Sequence, residues 1–131
     1  MPRLKYLLDT HTFLWAAVED ERLSPKAARA ISTTPWEQLA IADVTLQEIG
    51  LLIHLGRLRL SASPGTVLRP LLEFVTVLPI TLEIALAAPS LPLPHGDQFD
   101  RIITATAKLH RLVLVSKDGN IADAKVVDTL W

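Results

Sequence analysis

Short apolar runs alternate along this chain with stretches of helical period. Leu4–Leu8, Leu39–Val44, Phe74–Leu78 and Leu112–Val115 are brief, continuously apolar and bounded by polar residues, so each predicts a buried strand; Val126-Val127 predicts a last, short one. Helices are predicted between them. Thr10–Val18 carries Phe13, Leu14 and Ala17 on one face. Ser24-Pro25 is an N-cap followed by a first-turn proline, opening a helix to about Ile31. Thr45–Leu55 has Leu46, Ile49, Leu52 and Ile53 as its stripe and ends at Gly56. Pro64 to about Glu73, Thr81–Ala88 and Asp97–His110 complete the helices, with Arg57–Leu60 irregular and the proline-rich Pro89–Gly96 a loop. Strands alternating with helices predict an α/β fold: a central parallel sheet of four to five strands with helices on both faces.

A length of 131 residues suits one domain spanning the whole chain. Half the residues are hydrophobic, the upper edge for such domains, which is compatible with a surplus buried between subunits. The net charge of −1 supplies no global basic field, so nucleic acid would have to be held by local patches and metal. Cysteine is absent, which removes disulfides, thiolate metal sites and thiol nucleophiles, and is compatible with a reducing cytoplasm. No run reaches membrane-spanning length, and the first residues carry Asp9 inside their apolar stretch, unlike a signal peptide.

Four acids stand where apolar runs give way to helix starts: Asp9, Glu48, Asp100 and Asp118. Each has an ordinary explanation. Asp9 can cap the helix after it. Thr45 and Glu48 have the spacing of a capping box. Asp97 and Asp100 can be the cap and third residue of one helix, and Asp118-Gly119 can be a plain turn. Yet these positions share one edge of a parallel sheet, outside the carboxyl ends of the strands, where such folds bind ligands. Carboxylates gathered there repel one another, by roughly 4 kcal/mol per pair at a separation near 4 Å and an effective dielectric near 20. Helix N-termini offset only about 0.3–1 kcal/mol each. The remainder calls for protonation or a divalent cation, and oxygen-only ligands favour Mg²⁺ or Mn²⁺. Hydrolysis of a phosphate ester is the chemistry this pattern predicts.

The same segments resemble the motifs of PIN-domain ribonucleases, and among them the VapC-type toxins of bacterial toxin–antitoxin systems. LLDTHTFLW, VTLQEIGLLIHLGRLRL, HGDQFDRIITATAKLH and LVLVSKDGNI resemble the family's successive motifs, in order, over Tyr6–Asp128. Gln98 stands where proline is common; Ser116 and Thr45 exchange one hydroxyl residue for another; no acid is lost. The resemblance implies a PIN-like three-layer sandwich and an endoribonuclease leaving a 5′-phosphate and a 3′-hydroxyl. It implies Asp9, Glu48, Asp100 and Asp118 as metal-binding, catalytic carboxylates, with Asp97 auxiliary, and water activated by Mg²⁺ or Mn²⁺ as the attacking group. It further implies an RNA substrate, a homodimer, and a cognate antitoxin that neutralises the toxin. An apolar groove around Phe13, Leu14 and Trp36 is the expected antitoxin site.

Around these acids, Thr10 and Ser116 are expected to hold them by hydrogen bonds. His11, Arg57 and Lys117 are candidate RNA contacts; Arg59 shares that reading, and solvated surface charge explains the basic residues equally well. His11 and His95 have packing or capping as the ordinary alternative, and His54 and His110 carry no functional expectation. Arg101 is expected to form an ion pair or to face substrate, and Trp15 and Phe13 to pack in the core or an interface. Three other readings use similar acids. A haloacid-dehalogenase-like phosphatase needs a second Asp where His11 stands, and a phospho-receiver needs an acidic pair absent here. The third, a noncatalytic PIN-fold module, sits poorly with the intact acidic set.

Overall fold

In the computed structural model, which describes residues 3–94 and 97–131, five strands form one sheet. The chain runs β1 (Tyr6–Leu8), α1 (Thr10–Ala17), α2 (Pro25–Ser32), β2 (Leu39–Ala42), α3 (Asp43–His54), α4 (Pro64–Leu72), β3 (Thr76–Leu78), α5 (Leu82–Ala87), α6 (Gln98–His110), β4 (Val113–Val115), α7 (Gly119–Ala124) and β5 (Thr129–Leu130). Single 3₁₀ turns precede β2 (Trp36–Gln38) and follow α5 (Ala88–Ser90). The strand order is β3-β2-β1-β4-β5, and every neighbouring pair is parallel. The chain builds outward from β1 through β2 to β3, then crosses back to lay β4 on the other side of β1. That reversal creates a crevice between β1 and β4 at the carboxyl edge.

Both faces of the sheet are covered, which explains why its strands read as continuous apolar runs. Leu7, Ala40, Ala42 and Leu114 pack with Ile84 of α5, Ile103, Ala105 and Ala107 of α6, and Ile121 of α7. Tyr6, Leu8, Leu39, Ile41 and Val115 pack on the opposite face with Phe13 and Leu14 of α1, Ala27 and Ile31 of α2, and Ile49 of α3. Successive residues of β1 thus feed opposite cores, giving three layers, helix on sheet on helix.

Most predicted elements are present, with instructive displacements. The helix expected from Thr45 begins at Asp43, with Ala42 as a cap that makes no side-chain bond. Thr45 is therefore inside the helix and fully buried, and the capping box does not form. Leu46, placed in the apolar stripe by periodicity, is 39% exposed. Gly56 does end this helix, at φ 73, the left-handed conformation that a glycine accepts without strain. Asp118-Gly119 is not a plain turn: Asp118 caps α7, a helix the periodicity did not predict because only Ile121 of its six residues is buried. The last strand is Thr129–Leu130 rather than Val126-Val127. No described helix is long and apolar enough to cross a membrane.

The crevice is tied at its base. The Asp9 N–H donates to the Val115 carbonyl at 3.2 Å, and the buried Thr12 hydroxyl donates to the same oxygen at 2.9 Å. Thr12→Val keeps the volume and removes the second bond. It should lower stability by about 1 kcal/mol, read as a lower urea midpoint with an unchanged m-value; an unmoved midpoint would show the bond to be dispensable.

Candidate active site

At the mouth of the β1/β4 crevice lies a cavity of about 410 Å³ lined by Asp9, His11, Trp15, Glu48, Asp97, Asp100, Lys117 and Asp118. All four acids singled out from the sequence reach it, and so does Asp97. Local folding brings each one there. Asp9 caps α1, accepting from the Thr12 N–H at 2.9 Å. Asp97 caps α6, accepting from the Asp100 N–H at 3.1 Å, which sets Asp100 in the first turn. Asp118 caps α7, accepting from the Asn120 N–H at 2.8 Å and the Ile121 N–H at 3.4 Å. Glu48 comes from α3 and is held differently. Thr10 donates its hydroxyl proton to Glu48 Oε1 at 2.6 Å, and the Thr10 and Thr45 hydroxyls lie 3.2 Å apart. With Thr10's one proton committed to Glu48, Thr45 must be the donor between the two hydroxyls.

Two of the expected supporting residues are thus buried behind the cavity rather than lining it. Thr10 orients Glu48, and Ser116 accepts from the Asp118 N–H at 3.1 Å, fixing the turn into α7. Lys117 brings the cavity a cation, and His11 lies at its rim. Arg57 does not reach it. With Arg59 it lines an adjoining groove of about 500 Å³ between α1, α3 and α4, joined to the cavity through His11 and Trp15. Trp15, expected in the core or an interface, is half-buried at this junction, its ring 5.7 Å from His11, 5.9 Å from Trp131 and 5.1 Å from the Arg22 guanidinium. Its helical spacing gave no hint of this, because the contacts from Arg22 and Trp131 are tertiary. Phe13 is fully buried, so the groove expected around Phe13, Leu14 and Trp36 is not one surface: Leu14 lines the groove beside Trp15, and Trp36 a separate one along α2. His95 lies outside the described residues.

Arg101 corrects another expectation. Only one residue beyond Asp100, it is buried, and no carboxylate stands within ion-pair distance of it among the described residues. Its guanidinium donates to main-chain carbonyls instead.

The electrostatics follow from crowding. Burial, then the charge of Asp97, its hydrogen bond, and the charges of Asp118 and Glu48 push the Asp100 carboxyl up to about 8. Burial also raises Glu48, reinforced by Asp97 and Asp9; the Thr10 bond and His11 oppose it. Among the described residues no three His, Asp or Glu side chains are already gathered to hold a metal ion as they stand. The donor set nonetheless fits one, since every acid is an oxygen ligand and their mutual repulsion is relieved by a divalent cation.

The family model described as the PIN domain matches residues 6–127. The chain belongs to the PIN-domain family. This PIN domain is 37% identical over 116 residues to "Ribonuclease VapC22" of Mycobacterium tuberculosis, covering 88% of each chain. Its fold is similar to that in VapBC2 from Rickettsia felis bound to a promoter DNA fragment, with a TM-score of 0.70 at 14% identity over 97% of this chain and 98% of the other. A toxin–antitoxin complex from Klebsiella pneumoniae matches with a TM-score of 0.65 at 24% identity, over 94% and 95%. At these identities the two structures speak for the fold.

The raised carboxyls set a pH dependence. A carboxyl whose folded pKa exceeds its unfolded one binds more protons when folded, so the stability it contributes is present below about pH 4 and lost as pH rises through about 8. The melting temperature of the metal-free protein should therefore fall across that interval, and Asp100→Asn should flatten the fall. A wild-type profile that rises instead would contradict the crowding.

Proposed function

We propose that this PIN domain is a Mg²⁺- or Mn²⁺-dependent endoribonuclease of the VapC toxin type, neutralised by a cognate antitoxin. The observation that carries the reading is the single cavity into which Asp9, Glu48, Asp100 and Asp118 all project, beside Asp97. The 37% identity to a ribonuclease supports RNA as the substrate. Asp9, Asp100 and Asp118 are the direct metal ligands in this reading, with Glu48 a fourth ligand or the group that orients the attacking water. A divalent cation held there would offset charge on the scissile phosphate and make water more acidic. The chain's own residues do the rest. Thr10, with Thr45 behind it, keeps Glu48 aimed into the cavity. Ser116 holds the turn that presents Asp118, and Lys117 offers a cation to a phosphate. His11 at the rim and Arg57 in the adjoining groove are contacts for the RNA on either side of the cut.

An antitoxin partner is supported by the toxin–antitoxin complexes that share the fold, and a homodimer by exposed apolar side chains, Leu82 and Leu86 one turn apart on α5. A cytoplasmic location goes with an RNA substrate.

Purified protein incubated with total RNA should cleave it with Mg²⁺ or Mn²⁺ and stop with EDTA. Asp100→Asn should lose more than about 100-fold in rate, and Thr10→Val about 10- to 100-fold, the range for removing a group that orients a ligand. Cleavage that survives EDTA or Asp100→Asn would overturn the metal mechanism. Divalent-ion binding by calorimetry without RNA cleavage would favour a noncatalytic module.

A further inference from the structure

Arg101 is a cation buried without a carboxylate partner among the described residues. Such a charge is tolerated only where its donors are well satisfied. Nη1 donates to the carbonyls of Ala88 at 3.2 Å, Pro89 at 3.5 Å and Leu91 at 2.9 Å, and Nη2 donates to Leu93 at 2.6 Å. These oxygens belong to the 3₁₀ turn after α5 and to the segment that leaves it. A helix end has unpaired carbonyls, and a cation suits them. Capping a helix, however, needs no fork reaching from Ala88 to Leu93. The guanidinium fixes the path of the backbone from Ala88 to Leu93.

That path borders the acids. Leu93 and Pro94 wall a small cavity of about 110 Å³ whose other sides include Asp97, Asp100 and Asp118. Arg101 thus joins the end of α5, the wall of this cavity and the first turn of the helix that carries Asp100. We infer that Arg101 is a positioning residue: by clamping the 88–93 backbone to α6 it holds Asp97 and Asp100 where they face the acidic cavity. The inference rests on reading that cavity as a metal-dependent nuclease site, and the test separates the two.

Arg101→Lys keeps the charge and loses the fork; Arg101→Met keeps the length and loses the charge. Ile84→Val, on the buried face of α5, serves as a control for plain destabilisation. Two readouts are taken. Amide exchange at Asp100, whose N–H is held by Asp97, is measured in metal-free protein, and Mn²⁺ affinity is measured by calorimetry. Both Arg101 variants should exchange faster at Asp100 by about 10-fold and bind Mn²⁺ about 10- to 100-fold more weakly, the range for losing a ligand's support. The kcat for RNA cleavage should fall with KM little changed, and Ile84→Val should alter none of these. Arg101 variants within twofold of wild type in exchange and affinity would overturn the inference. So would an Ile84→Val protein that reproduces their losses, or failure of both Arg101 variants to fold, which would make the residue purely structural. If wild type binds no Mn²⁺, the metal reading fails and the exchange comparison alone decides the clamp.

Discussion

Each helix that leaves the carboxyl edge of the sheet begins with backbone N–H groups that have no partner within it. In this chain carboxylates answer that need at α1, α6 and α7, through Asp9, Asp97 and Asp118. A cap of this kind stabilises a helix by about 1 kcal/mol. Because all five strands are parallel, the capped ends around β1 and β4 open onto the same side. The requirement that organises the backbone locally is therefore also what assembles a cluster of negative charge.

The balance of forces in that cluster favours repulsion. A helix N-terminus lowers the energy of a nearby anion by about 0.3–1 kcal/mol. Asp100 lies in the first turn of α6 and has this benefit, yet burial and its acidic neighbours still carry its carboxyl to about 8. The protein holds these groups in place through rigid elements and specific bonds: the Thr10 hydroxyl on Glu48, the Ser116 hydroxyl under Asp118, the Arg101 fork beside α6. It is a site preorganised against its own charge, and this gives a cation or a cationic partner a reason to bind.

The sheet and its principal helices were legible in the sequence because buried parallel strands are continuously apolar and amphipathic helices repeat at 3.6 residues. The acids were legible for a related reason, since the pattern that predicts a helix start also predicts which edge it occupies. What escaped was set by tertiary contacts. Thr45 has the spacing of a cap, but α3 starts two residues earlier and turns its hydroxyl inward to Thr10. α7 buries one side chain, too few to leave a period. Arg101 sits in a motif that invites an ionic partner, whereas its partners are backbone carbonyls, which carry no sequence signature. Trp15 follows core spacing and ends at the cavity's rim because Arg22 and Trp131 come to meet it.

The pairing of β1 with β4 has a consequence for the order of events in the cell. Thr12 and its partner Val115 lie 103 residues apart in the chain, and Asp9 and Asp118 follow the two strands that meet there. A contact of such long range costs loop-closure entropy before it stabilises the fold. Until β4 has been synthesised and has docked on β1, Asp9 and Asp118 share no cavity. A chain built this way carries Asp9 among its first residues, but its acidic cavity is complete only once the stretch that supplies Asp97, Asp100 and Asp118 has been added and packed.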